Sequence, residues 1–172
     1  MSSFYAVLEK VFLANLDKPS LFLADSTWTY RDLLDKVNGL AYVLTQNGVT
    51  KGDRLVVQVQ KSAQNLALYL ASLRIGAVYV PLNTAYTDRE LDYFLKDSDP
   101  ALFIGEDSRQ DVPSLTLDQT GNGTLMDGLD SVVDVPVPVD LEASDLAAIL
   151  YTSGTTGPVS YTHLTLPTNR EV

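Results

Sequence analysis

Residues Ala147-Ala148-Ile149-Leu150-Tyr151-Thr152-Ser153-Gly154-Thr155-Thr156-Gly157 form an apolar run that changes abruptly into hydroxyl-bearing and glycine residues. The first half is typical of a buried strand, and the second half is typical of a loop that binds phosphate. Glycine allows positive φ and a close backbone approach to a ligand, while serine and threonine add hydroxyl donors to the backbone N–H groups. Successive N–H groups in such a turn form a concave anion site. The alternative is a flexible turn without a ligand, because the same residues are common in loops.

The predicted phosphate contacts come from six consecutive residues at the end of this stretch. They are Thr152, Ser153, Gly154, Thr155, Thr156 and Gly157. Two better-known nucleotide loops are excluded by inspection, because the sequence contains no G-x-x-x-x-G-K-[ST] and no G-x-G-x-x-G that opens a helix. Gly121-Asn122-Gly123 lacks the third glycine and is interpreted as a surface turn.

Upstream, the sequence predicts a strand, a helix and a second strand in succession. The first strand covers residues 55–60 and is rich in β-branched side chains, and the second covers residues 77–82. Between them, Ser62 is a helix cap and Gly76 is a stop signal. A strand, helix and strand in this order predict a right-handed parallel crossover. We therefore expect an α/β fold with a mostly parallel sheet flanked by helices.

Weaker patterns predict the remaining elements. Capping boxes at Thr29 with Asp32 and at Thr87 with Glu90 mark the starts of two further helices. Other expected elements are a first helix over residues 4–16, two short strands over 20–25 and 27–30, strands over 101–105 and 114–117, and an extended linker over 132–139. Asn83, in the loop after the second parallel strand, is as well explained by a turn that bonds its own backbone as by a ligand contact.

Composition limits the classes of function. The chain has 172 residues, of which 45% are hydrophobic, which is enough for one domain with a substantial core. It has no cysteine, so disulfides and thiolate metal sites are excluded. No signal peptide is visible, and no apolar run approaches the roughly 18 residues that a membrane span needs. We expect a cytoplasmic protein without a membrane span.

Negative charge is concentrated towards the end of the chain. Residues 1–109 carry 11 basic and 13 acidic side chains, a balance of −2, whereas residues 110–172 carry one basic and nine acidic side chains, a balance of −8. Nucleic-acid binding is disfavoured, because it requires clustered lysine and arginine. A triphosphate bound at residues 152–157 would need metal and basic residues from outside this sequence.

The segment Tyr151-Thr152-Ser153-Gly154-Thr155-Thr156-Gly157-Pro158 resembles the phosphate-loop signature of the adenylate-forming superfamily. This superfamily includes acyl-CoA synthetases, the adenylation domains of peptide synthetases, and luciferases. The segments around Thr29 and Asp53 also resemble early motifs of the superfamily. In the family the loop continues with a lysine and a further glycine, whereas here Pro158 is followed by Val159 and Ser160.

The resemblance covers residues 1–158 and implies a partial, amino-terminal AMP-binding domain of an ATP-dependent acid–CoA ligase. Such an enzyme uses ATP and Mg²⁺ to form an acyl-adenylate and then an acyl-CoA with coenzyme A, as in fatty acid metabolism. The loop residues would hold the β- and γ-phosphates. The family's metal ligand, adenine pocket and catalytic lysine belong downstream, so the resemblance implies no catalytic and no metal-binding residue in this sequence, and we expect the chain itself to be inactive.

The segments 80–87 and 91–95 resemble malonyl-CoA synthetases more closely than general acyl-CoA synthetases, in which a proline usually follows the asparagine. The expected substrate is therefore malonate or methylmalonate. A dicarboxylate needs a buried cation. The basic residues nearest to this loop, Arg74, Arg89 and Lys96, are expected on solvated helix faces, so the partner cation is expected downstream of Val172.

Residues 159–172 do not resemble the family. Their threonine-rich, proline-interrupted composition disfavours a helix, and we expect a disordered or artefactual tail. Two alternatives to the acid–CoA ligase remain open. One is a peptide-synthetase adenylation domain with a carrier protein as partner. The other is a small non-enzymatic α/β module, flavodoxin-like in outline, that binds a phosphate, a nucleotide or a protein. The sequence leaves the oligomeric state undetermined.

Overall fold

The computed structural model describes residues 4–152 and the strand formed by residues 160–165, with side chains described through residue 151. The helices of this part are α1 (Phe4–Leu13), α2 (Tyr30–Gln46), α3 (Ala63–Ile75), α4 (Asp88–Ser98) and the short α5 (Thr124–Asp127), followed by a 3₁₀ turn (Gly128–Ser131). The strands are β1 (Pro19–Phe22), β2 (Thr27–Thr29), β3 (Arg54–Gln58), β4 (Val78–Pro81), β5 (Leu102–Gly105), β6 (Ser114–Thr116), β7 (Leu146–Thr152) and β8 (Ser160–Thr165).

The strand, helix and strand that the sequence predicts are β3, α3 and β4. The hydroxyl of Ser62 accepts a hydrogen bond of 3.1 Å from the Asn65 N–H, so it caps α3 as expected. The helix ends at Gly76, whose φ of 73° is in the left-handed region that favours glycine. β3 and β4 then pair in parallel, with Leu55 opposite Tyr79.

The main sheet has the strand order β6-β5-β3-β4-β7-β8. All neighbouring pairs from β6 to β7 are parallel, and β8 alone is antiparallel to its neighbour. The expected α/β fold with a mostly parallel sheet flanked by helices is therefore confirmed. β1 and β2 form a separate antiparallel pair.

The core lies on both faces of the sheet because successive strand side chains point to opposite sides. On one face, Leu55 and Val57 of β3 pack in a large cluster with residues of α1, α2 and α3. On the other face, Val56 of the same strand packs in a smaller cluster with Phe94 and Leu95 of α4. Helix α4 thus covers one face, and the other three long helices cover the opposite face.

Two regions differ from the sequence-based expectation. The linker over residues 132–139 contains no strand, as expected, but it is not detached: the Val139 N–H donates to the Arg74 carbonyl at 3.0 Å. Helix α5 and the 3₁₀ turn that follows it were not predicted, because each is only four residues long. Elements of one turn give too little periodicity to be recognised.

The tail was expected to have no regular structure, yet Ser160–Thr165 is a strand that pairs with β7, with Tyr161 opposite Tyr151. Threonine and tyrosine favour strands, and without β8 the strand β7 would have an open edge with unpaired backbone groups. These two factors account for the difference. Residues 166–172 lie outside the described part, and the domain boundary at residue 158 remains a prediction.

Candidate functional site

The carboxyl ends of five parallel strands meet at one edge of the sheet. Strands β3, β4, β5, β6 and β7 all point towards this edge. In open parallel sheets, ligands bind at the loops that leave such ends. The edge is therefore where a binding site is expected.

Two glutamines organise the loops that leave β3 and β4. Gln58 donates from Nε2 to the Asn83 carbonyl at 3.0 Å, and Gln60 donates from Nε2 to Oγ1 of Thr84 at 3.2 Å. Asn83 uses its own Oδ1 to accept the Ala85 N–H at 2.9 Å. This bond supports the turn interpretation of Asn83, because the side chain holds its own backbone.

A crevice of about 320 Å³ opens between the ends of β3 and β5. Its lining is mostly polar and includes Gln58, Gln60, Thr84, Glu106, Asp107 and Arg109. The order in which strands are added to the sheet reverses here, since β4 lies on one side of β3 and β5 lies on the other. This is the point at which ligands commonly bind in doubly wound sheets.

Arg109 is a positively charged residue that lines this crevice. Its guanidinium bonds Asp92 at 2.5 Å and Asp111 at 2.9 Å. The hydrogen bond from Arg109 holds the pKa of Asp111 below its ordinary value. Since two carboxylates already share this guanidinium, and Glu106 and Asp107 lie in the same crevice, the local charge is negative.

The end of β7 is fixed to helix α4 by Tyr151. Its ring lies 4.6 Å from that of Phe94, measured between centroids, and its hydroxyl donates to Oδ2 of Asp97 at 2.7 Å. Burial, and then the hydrogen bond to the Asp97 carboxylate, raise the pKa of Tyr151 above its ordinary value. The hydroxyl therefore remains protonated, which the donor role requires.

The structure places the predicted phosphate-binding residues only in part. Thr152 is the last residue of β7 and so lies at the carboxyl edge of the sheet. Ser153, Gly154, Thr155, Thr156 and Gly157 lie outside the described residues. Their role in phosphate binding stays a prediction, with the strand leading into them in the expected place.

The sequence reasoning missed several side chains at this edge. Gln58 and Gln60 could have been found, because they lie at the carboxyl end of a predicted parallel strand. The pairing of Asp97 with Tyr151 and of Arg109 with Asp92 gave no local signal, because the two residues of each pair are distant in sequence. Asp97 and Asp92 both lie on α4, so these two contacts form only when α4 is packed on the sheet.

The expectation that Arg74 lies on a solvated helix face is wrong. Its side chain is 7% exposed, and it donates to Glu9, to the Tyr5 hydroxyl at 3.1 Å and to the Pro136 carbonyl at 3.1 Å. The guanidinium is buried because a carboxylate, a hydroxyl and a carbonyl together satisfy it. Arg89 and Lys96 are exposed, as expected.

In the described ranges, residues 4–152 and 160–165, no three or more histidine, cysteine, aspartate or glutamate side chains are grouped so as to hold a metal ion. No helix in the same ranges is both long and apolar enough to cross a membrane.

The comparisons with known proteins concern almost the whole chain. Residues 8–163 match the family described as AMP-binding enzyme. The chain belongs to the AMP-binding enzyme family. Its members are adenylate-forming enzymes, and the α/β fold described above matches their amino-terminal part.

Among solved structures, this AMP-binding chain is similar to MatB from Rhodopseudomonas palustris. The apo form is 37% identical, with a TM-score of 0.82, over 90% of this chain and 33% of that chain. An ATP-bound form of the same protein is also 37% identical, with a TM-score of 0.80. VinN, solved with L-aspartate, is 26% identical with a TM-score of 0.82, over 96% of this chain and 48% of that chain.

Curated relatives are much longer. Surfactin synthase subunit 2 of Bacillus subtilis (strain 168) is 31% identical over 161 residues, which is 89% of this chain and 4% of that protein. Tyrocidine synthase 1 of Brevibacillus parabrevis is 29% identical over 159 residues, which is 90% of this chain and 14% of that protein. The AMP-binding chain thus spans a small part of these relatives and a third of MatB.

Proposed function

We propose that this AMP-binding chain is part of an ATP-dependent acid–CoA ligase that acts on a small dicarboxylate, with malonate or methylmalonate as the substrate. The observation that carries the proposal is the position of β7, whose last residue, Thr152, lies at the carboxyl edge of the parallel sheet. The sequence that follows is the phosphate-loop signature. The 37% identity to a protein solved with ATP bound supports ATP as the nucleotide.

The proposed reaction has two steps. A carboxylate oxygen of the acid attacks the α-phosphorus of ATP, the new O–P bond forms, and pyrophosphate leaves. The sulfur of coenzyme A then attacks the activated carbonyl carbon, and AMP leaves with the electron pair of the cleaved C–O bond. Adenylation is needed because a free carboxylate is a poor electrophile.

In this proposal, residues 152–157 act on the leaving group. Their N–H and hydroxyl donors would hold the β- and γ-phosphates, with hydrogen bonds that strengthen as negative charge develops on pyrophosphate. Mg²⁺ would neutralise part of that charge when bound. The described residues contain no group of three or more histidine, cysteine, aspartate or glutamate side chains that could hold Mg²⁺.

Two observations support a dicarboxylate substrate. The segments 80–87 and 91–95 resemble malonyl-CoA synthetases. VinN, whose structures contain L-aspartate and 3-methylaspartate, shows that a relative with this fold accommodates an acid with two carboxylates. The buried cation that the second carboxylate requires is not Arg74, since Glu9, Tyr5 and Pro136 already satisfy that side chain.

A second candidate is an adenylation domain of a peptide synthetase. The specific observation in its favour is the 31% identity to surfactin synthase subunit 2. In that case an amino acid would replace the dicarboxylate, and the thiol of a carrier protein would replace coenzyme A.

The test uses a protein in which residue 158 is followed by the lysine, the glycine and the remaining length typical of the family. We expect its specificity constant for malonate or methylmalonate to exceed those for acetate, a long-chain acid and amino acids, with coenzyme A as the acceptor. A higher specificity constant for acetate or the long-chain acid would contradict the proposed dicarboxylate substrate but not the proposed ligase activity. Adenylation of amino acids without CoA-ester formation would favour the peptide synthetase.

A further inference from the structure

A second cavity, of about 420 Å³, lies at the carboxyl edge of the sheet beside α3. The residues that follow β3, the end of β4 and the first part of α3 form its walls. Among the described residues, this α3-side cavity shares no lining residue with the crevice between β3 and β5. Its volume is in the range of small-molecule sites.

Most of the wall of the α3-side cavity is apolar. Tyr79 on β4 and Tyr69 on α3 meet edge to face, with their ring centroids 5.2 Å apart. Val59, Leu66 and Leu82 add aliphatic surface, and Leu66 is 38% exposed. A ligand with an apolar body would remove part of this surface from water, which is favourable.

Several polar groups of the cavity are already satisfied. The Tyr79 hydroxyl donates to Oδ1 of Asn65 at 2.5 Å, and Asn65 donates from Nδ2 to the Gln60 carbonyl at 3.3 Å. The Ser62 hydroxyl is engaged in capping α3. Burial raises the pKa of both Tyr79 and Tyr69, so the two hydroxyls stay protonated.

Two donors of the cavity remain available. In the part of the chain that the structure describes, the Tyr69 hydroxyl has no hydrogen-bond partner, and exposed Lys61 has no carboxylate within ion-pair distance. The chain has 22 acidic residues, yet none of the described lining residues is acidic. The first turn of α3 also lacks an acidic residue, so its positive end is not neutralised by a side chain. The α3-side cavity thus combines apolar walls with uncompensated positive charge.

We propose that the α3-side cavity binds a small monocarboxylate with an apolar body. Lys61 pairs with the carboxylate, the Tyr69 hydroxyl donates to it, and the apolar body lies against Tyr79 and Leu82. A second carboxylate on the ligand would lie against apolar walls without a partner, which is costly, so dicarboxylates are disfavoured. The site goes beyond the proposed function, because none of the proposed reaction steps uses it.

The test titrates hexanoate into the 172-residue chain at neutral pH and follows the backbone amides by NMR. We expect saturable changes in the millimolar range at residues 59–69 and 79–82. Hexan-1-ol has the same carbon chain without the charge and should bind roughly fivefold more weakly, as expected for the loss of an exposed ion pair. Malonate should also bind more weakly than hexanoate.

Three variants locate the site. Lys61→Met should weaken the binding of hexanoate roughly fivefold and leave that of hexan-1-ol unchanged. Lys96→Met, which replaces an exposed lysine of α4, is the matched control and should leave both unchanged. Leu66→Trp should fill the cavity and abolish the binding of both molecules, and the fold should tolerate it because Leu66 is partly exposed.

Several results would overturn the proposal. They are the absence of saturable binding in the millimolar range, equal affinities for hexanoate and hexan-1-ol, and tighter binding of malonate than of hexanoate. Unchanged binding of hexanoate in Lys61→Met or in Leu66→Trp would also overturn it. These titrations contain neither ATP nor coenzyme A, so their failure is distinguishable from a failure of the ligase proposal.

Discussion

At the scale of single residues, Arg74 is the side chain whose role the sequence did not reveal. Its place in the last turn of α3 suggested a solvated cation. Periodicity shows which positions of a helix face the core, but it does not show that a carboxylate from α1 and a carbonyl from residues 132–139 will meet there. Such partners are separated in sequence and come together only when the fold is complete.

Replacing Arg74 should destabilise the fold far more than replacing an exposed arginine. Arg74→Met leaves Glu9 without its buried partner, and breaking such a pair costs about 3–5 kcal/mol. The measurement is the free energy of unfolding by urea. The control is Arg31→Met, which breaks the exposed pair with Asp17 and should leave that free energy unchanged. Equal effects of the two substitutions would contradict the buried role of Arg74.

At the scale of elements, most of the architecture could be predicted, because helix starts and stops are encoded locally. Thr29 with Asp32 and Thr87 with Glu90 form the capping boxes that the sequence predicts, at the starts of α2 and α4. Ser62 and Gly76 bound α3 as predicted. The candidate site could be predicted less well, because Asp97 and Arg109 act through partners on other elements.

The capping box of α4 should make stability depend on pH. Hydrogen bonds from the Thr87 backbone and hydroxyl lower the pKa of Glu90 below its ordinary value of 4.5. A lowered folded-state pKa means that the contribution is present above pH 4.5 and is lost as pH falls through the folded-state pKa. We expect Glu90→Gln to be less stable than the wild type at neutral pH, and the difference to vanish at acidic pH. Thermal unfolding across this range measures it, and a difference that persists below the folded-state pKa would contradict the assignment.

At the scale of the whole molecule, the chain supplies the strand that leads to the predicted phosphate loop, but the lysine typical of the family does not follow residue 158. We therefore predict that the 172-residue chain forms no adenylate. Carboxylate-dependent exchange of pyrophosphate into ATP measures this, with the longer protein described under Proposed function as the positive control. Exchange above background in the 172-residue chain would contradict the prediction.

We also predict that the chain associates in solution. Large apolar side chains are exposed on α1 and in residues 132–139, among them Val11, Val133 and Val137, at 48%, 86% and 82% exposure. Such surface favours contacts between copies despite the net charge of −10. Light scattering over a concentration series measures the association, and Val133→Asp with Val137→Asp should reduce it. A monodisperse monomer with a cooperative melt would favour the small-module alternative.

The hydrogen bond from the Val139 N–H to the Arg74 carbonyl bears on how quickly the sheet can assemble. Tyr79 and Ala148 pair across a long stretch of chain, and the entropy lost in closing a loop grows with its length. Once residue 139 is attached at the end of α3, only residues 140–145 separate that point from β7. The search for the correct partner strand then becomes nearly local, and low contact order speeds folding. A segment without regular secondary structure thus shortens the path by which β7 finds its place beside β4.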